Sequence, residues 1–212
     1  MKKIVIILCL GIIGCGTVPS VRPIGKGNKS IALSSGGPIT PIYEIKMPIP
    51  YTVLRYRQGL TEYTDFHVGV HPTMALLGNV ATDIGLTKHI VHQSGWSPSL
   101  SLEGSIYGFY HYNELSSIRV YPEISLIGNY KRKNRGETLY FGVQNMVQFA
   151  RPYLVSVPLI GLELPLWKSF ILNLETKWYA PSEESEDRVV DYTIKPFGHG
   201  ALGFVWGISY KF

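Results

Sequence analysis

Two sets of side chains in this chain could do chemistry. The first is His89, His92 and Ser94, with His71 and His111 elsewhere. A serine hydroxyl on one imidazole nitrogen, with an acid on the other, is the arrangement that transfers acyl groups. No signature spacing joins these residues, and scattered histidines at strand ends read as interfacial polar groups. No P-loop, dinucleotide fingerprint, HExxH or cysteine zinc pattern is present, so the expectation is no enzyme, no cofactor and no metal. The second set is Arg55, Arg57, Asp65, Asp83, Glu103, Arg119, Glu123, Glu163, Glu175 and Lys177. These ten lie on one parity of alternating runs, four positive and six negative. Mixed signs at close quarters predict a paired network, not a single-sign selectivity ring.

Cys15 is a third candidate, for modification. Lys2 and Lys3 precede an apolar run from Ile4 to Ile13 and then Gly14-Cys15-Gly16, the layout of an export signal. The run is too short to span a bilayer as a helix. Ile12-Ile13-Gly14-Cys15 resembles a bacterial lipobox. That resemblance implies cleavage before Cys15 by the lipoprotein-processing enzymes and acylation of Cys15 with palmitate-type chains. With Cys9 removed, Cys15 stands alone and no intrachain disulfide forms. Loss of Lys2 and Lys3 lowers the formal charge from +5 to +3, weak ground for an anionic partner, and no nucleic acid is expected. Residues 1–14 read as signal peptide, 15–27, with Pro19 and Pro23, as a lipidated tether, and 28–212 as one domain.

The elements that must position these groups are strands. From residue 28 onward apolar residues recur with period two: Leu202, Phe204, Trp206, Ile208, Tyr210 and Phe212 share one face, and Gly203, Val205, Gly207 and Ser209 the other. Similar runs place strands near 28–36, 50–58, 63–72, 79–90, 98–111, 116–130, 137–150, 153–165, 169–180 and 199–212. The count is ten. It falls to eight if the proline-rich stretch Pro38–Pro50 leaves the first two out. Charged residues are only 17% against roughly 25% in soluble domains, and 12% aromatics exclude disorder. Large aliphatics on one face, with Tyr110, Tyr130, Phe149, Trp178 and Tyr210 near strand ends, predict a lipid-facing belt between aromatic girdles. The expected fold is all-β, a closed antiparallel transmembrane β-barrel.

The C-terminal strand with Phe204, Trp206, Ile208, Tyr210 and terminal Phe212, together with Arg57-Gln58-Gly59-Leu60-Thr61 before Asp65–Val70, resembles the small β-barrels of the bacterial outer membrane. That resemblance implies outer-membrane location with both termini periplasmic, and the last strand as the signal read by the barrel-assembly machinery. Outer-membrane lipids and lipopolysaccharide would be the surroundings. The connection from Pro181 to Gly198, with Glu183, Glu184, Glu186, Asp187 and Asp191, would then lie outside, and the basic turn Lys131–Arg135 inside the periplasm. A ten-strand lumen is narrow enough for side chains to fill. The expected role is structural or interactive. The alternatives are a small ion or solute channel, or a lipocalin-like lipoprotein holding a hydrophobic ligand in an apolar interior. Oligomeric state is open.

Overall fold

The computed structural model describes residues 17–42, 45–112, 114–132, 136–184 and 193–212. Eleven strands follow one another: β1 Lys29–Ile42, β2 Ile45–Pro48, β3 Tyr51–Gly59, β4 Thr64–Val70, β5 Asn79–Val91, β6 Ser99–His111, β7 Glu114–Lys131, β8 Thr138–Val147, β9 Leu154–Pro165, β10 Phe170–Glu184 and β11 His199–Lys211. Each wall strand pairs antiparallel with the next, and β11 returns to β1, Ser30 opposite Lys211 through Pro38 opposite Gly203. The result is a closed barrel of ten strands with β2 outside the wall, paired only with the upper end of β1. Eight strands is thereby excluded. The first strand, expected near 28–36, is paired on both sides. Proline, which lacks an N–H, cannot continue a two-sided ladder. Accordingly β1 leaves the wall at Pro38 and folds back as a hairpin over Ile39–Pro48.

The alternation places aliphatics outward. Ile84, Leu86, Ile106, Ile124 and Ile160 are each 49–56% exposed on the outer face. Between the rims the outward positions carry no charge among the described residues; Lys29 and Lys88 sit at the lower edge. Here "lower" denotes the rim bearing Lys29 and Phe212. Aromatics flank the belt at both ends. Phe170 packs on Tyr210 at 4.8 Å and on Trp167 at 6.0 Å below, and Trp178 meets Phe197 at 6.2 Å above. From Phe170 to Trp178 is eight residues, or about 20 Å of height at ~3.3 Å per residue and a tilt near 40°. Among the described residues no helix is long and apolar enough to cross a membrane.

The upper connection between β4 and β5 carries one short helix, α1 (Pro72–Leu76), which drops Met74 into the barrel mouth, 2% exposed. At the lower end, residues 17–24 do not hang free. They run inside the barrel.

Candidate functional site

The lumen is the site, and it has two halves. The upper half is apolar: Met74 packs with Tyr51, Val53, Tyr107, Met146, Val155, Val157 and Tyr179. His71 sits at the edge of this cluster. Its Nδ1 is 2.6 Å from the Tyr51 hydroxyl and its Nε2 is 2.9 Å from Asp83 Oδ2.

The lower half is polar and is occupied by the N-terminal segment. Lys177, fully buried and seven residues above the start of β10, donates to the Thr17 carbonyl at 2.6 Å, to Gln144 Oε1, and lies 3.1 Å from Glu175. Thr17 is therefore at mid-height. Descending, Arg55 donates to the Val18 carbonyl at 3.2 Å, and Glu103 accepts the Ser20 amide at 2.9 Å. Ser101 and Asn129 both donate to the Val21 carbonyl, at 3.3 and 2.9 Å. Arg57 donates to the Arg22 carbonyl, Asp65 accepts the Ile24 amide at 3.2 Å, and Lys211 donates to the Ile24 carbonyl at 3.0 Å. The Arg22 side chain pairs with Glu163 at 2.7 Å. Val21, fully buried, rests on Ile127, Tyr140 and Leu159. Tyr140 can lie there because the facing residue is Gly161, where a Cβ would come within 2.4 Å of its ring.

Of the ten charges read as luminal, eight are buried: Arg55, Asp65, Asp83, Glu103, Glu123, Glu163, Glu175 and Lys177. Arg57 is half-buried and pairs with Asp65. Arg55 pairs with Asp83 at 2.7 Å and approaches Glu103 at 3.6 Å. Glu123 accepts from Ser125 and Gln144. Arg119 departs from the expectation: it is exposed, because β6 and β7 run together past the end of β8 at the upper rim, Arg119 opposite Phe109 and β8 pairing with β7 only as far as Glu123. Of the tether expected over 15–27, residues 17–24 lie within the lumen, where wall side chains bond five of their carbonyls and two of their amides. Cys15 lies outside the described residues, as do residues 185–192 of the acidic connection and 133–135 of the basic turn.

Sequence reasoning missed the occupant, yet a signal for it existed. Without Arg119 the ten-charge set leaves three cations to six carboxyl groups, and the segment's Arg22 adds a fourth cation, on Glu163.

The acyl-transfer candidates do not assemble. His89 Nδ1 is 2.8 Å from Ser101, and His92 lies against the His89 and Tyr63 rings, while Ser94 is exposed in the lower loop. Both His71 nitrogens are taken by Tyr51 and Asp83. A pair not anticipated, His67 Nε2 with Ser105 Oγ at 3.2 Å, has its nearest acid, Asp83, on that same nitrogen at 3.6 Å. A hydrolase needs serine and acid on opposite nitrogens. Among the described residues no cluster suited to a metal is present.

No protein-family model and no curated protein matches the sequence. Among solved structures, the translocator domain of the autotransporter NalP from Neisseria meningitidis is similar over 89% of each chain, at 13% identity and a TM-score of 0.41. OprG from Pseudomonas aeruginosa is similar over 91% of this chain and 99% of its own, at 9% identity and a TM-score of 0.37. Ail, the attachment invasion locus protein of Yersinia pestis, covers 88% of this chain and 99% of its own, at 10% identity and a TM-score of 0.28.

Proposed function

We propose that this protein is an outer-membrane β-barrel lipoprotein with a structural or interaction role and a mostly filled lumen. The observation that carries the reading is the outer face: a closed sheet ringed by half-exposed aliphatics, with charge, among the described residues, only at its edge. Soluble monomers rarely leave an apolar patch beyond a few hundred Å² in water. A charge facing lipid at mid-bilayer costs roughly 2–4 kcal/mol for Arg or Lys, which accounts for the inward placement of the ionic groups. The rim with Lys29 and Phe212 would face the periplasm and α1 the exterior. A lipocalin-like carrier needs the opposite distribution, apolar within and polar without. A channel is disfavoured by the Met74–Tyr107 cluster, which fills the upper lumen whether or not the N-terminal segment is in place.

Acylation of Cys15 belongs to this reading on the strength of Ile12-Ile13-Gly14-Cys15. Two residues reach at most about 7 Å. Acyl chains on Cys15 therefore enter the bilayer only if Thr17 gives up its bond to Lys177, so the anchored form carries the segment outside the lumen.

The test is fractionation of Cys15→Ala protein in a Gram-negative host. It should stay with outer membranes after carbonate extraction and show a heat-dependent mobility shift on gels. Release into the soluble periplasm would overturn the membrane barrel.

A further inference from the structure

We infer that the lower lumen is a peptide-binding site, built to hold an extended chain by its backbone, and that residues 17–24 are an occupant supplied in cis. The inference rests on the closed barrel and its lumen, whichever membrane holds it.

Main-chain accounting is the first ground. Between Thr17 and Ile24, five carbonyls and two amides bond to wall side chains, while Pro19 and Pro23 have no amide to satisfy. Buried backbone groups must find partners, and here side chains from several strands supply them. The wall's own ladder closes without the segment, since backbone-to-backbone bonds to it begin only at the rim, with Gly27 to Gly59 and Asn28 to Gly59. Occupant and receptor are thus separable parts. Backbone recognition supplies affinity with little sequence demand, as in other modes of extended-peptide capture.

The second ground is what selectivity remains. One apolar seat holds Val21, and one carboxylate, Glu163, holds Arg22. The ligand class follows: an extended peptide with an aliphatic residue followed by arginine. The third is room to exchange. A cavity of about 200 Å³ lies between the segment and the wall of β1, β10 and β11, lined by Ser30, Ser34, Asn173 and Ser209. Gly25 and Gly27, at φ +85° and +77°, make the joint at the rim. An anchor on Cys15 would vacate the site, leaving it open to a peptide of the same class from another chain.

The test uses the full chain with a site-specific protease sequence inserted between Gly27 and Asn28, folded in detergent and then cut. The cut segment should stay with the barrel on size exclusion. Excess labelled peptide of residues 17–27 should displace it with saturable binding by fluorescence anisotropy. A peptide carrying Arg22→Ala should bind at least tenfold more weakly, and a Glu163→Gln barrel should no longer distinguish the two peptides. The barrel's heat-dependent mobility shift reports that it stays folded throughout. A segment that leaves on cutting with no saturable rebinding overturns the proposal. So does a segment that stays but never exchanges, or equal binding of the two peptides.

Discussion

The two halves of the lumen are filled by different physics. Above, α1 lowers Met74 among Tyr51, Tyr107, Met146 and Val155, and the space is closed by apolar contact. Below, the same wall carries Lys177, Glu175, Glu103, Arg55 and Asp65, and the space is closed by a chain segment whose backbone those groups bind. Apolar filling is non-directional and tolerates small shifts, with costs that follow lost volume. A buried ionic filling is all or nothing, because removing one partner leaves the other charge uncompensated. The upper half is therefore a stopper of the barrel itself. The lower half is a seat that needs an occupant.

The sharpest way to break this contrast is Lys177→Met. It strands Glu175 and leaves the Thr17 carbonyl without its partner, at a cost of about 3–5 kcal/mol. Urea titration in detergent micelles reads the loss, and Glu175→Gln in the same chain should return more than half of it. Lack of any rescue would show that the lower half is not organised by charge pairing. Met74→Ala comes next, at about 2–3 kcal/mol for a truncated buried side chain. Hydrogen exchange should leave the Ser20 and Ile24 amides as protected as before, since the defect lies in the other half. Loosening of those amides would join the halves into one unit.

Arg22→Ala should cost about 1–2 kcal/mol, less than a fully buried pair, because its side chain is 24% exposed. Here the same two amides should lose protection while Met74 contacts persist, visible as unchanged methyl chemical shifts. The smallest effect is expected of Tyr51→Phe, about 1 kcal/mol, from loss of the 2.6 Å bond to His71 Nδ1 at the border of the halves. A larger loss would mean that the Tyr51–His71–Asp83 chain couples them.

The outer face was legible because a strand's side-chain period of two is local: Leu202 to Phe212 fall on one side of β11 however the strand is paired. The ends near Gly59, Gly78 and Pro165 were legible through local turn residues, whereas β1 and β10 run past their expected ends at 36 and 180, to Ile42 and Glu184. The parity of the charges followed too, and it put Lys177 and Glu175 on the inner wall. It failed at Arg119, because parity gives a face and not a height, and β6 and β7 together outrun β8 at the upper rim. The partners of the inner charges were not legible. Asp83 with His71, Glu103 with Ser20 and Lys177 with Thr17 join residues from 12 to 160 positions apart, and only the closed register brings them together.

By itself the sequence determined an all-β chain with a lipid-like outer face and an ionic inner one, because alternation and composition are properties of neighbouring residues. The tertiary structure alone decided between ten strands and eight, left β2 outside the wall, and placed residues 17–24 in the lumen and not beside it. A short proline-containing segment with a single arginine looks the same in sequence whether it is a tether or a ligand. What settles it is the set of donors and acceptors waiting on the inner wall, and those are assembled only when β11 meets β1.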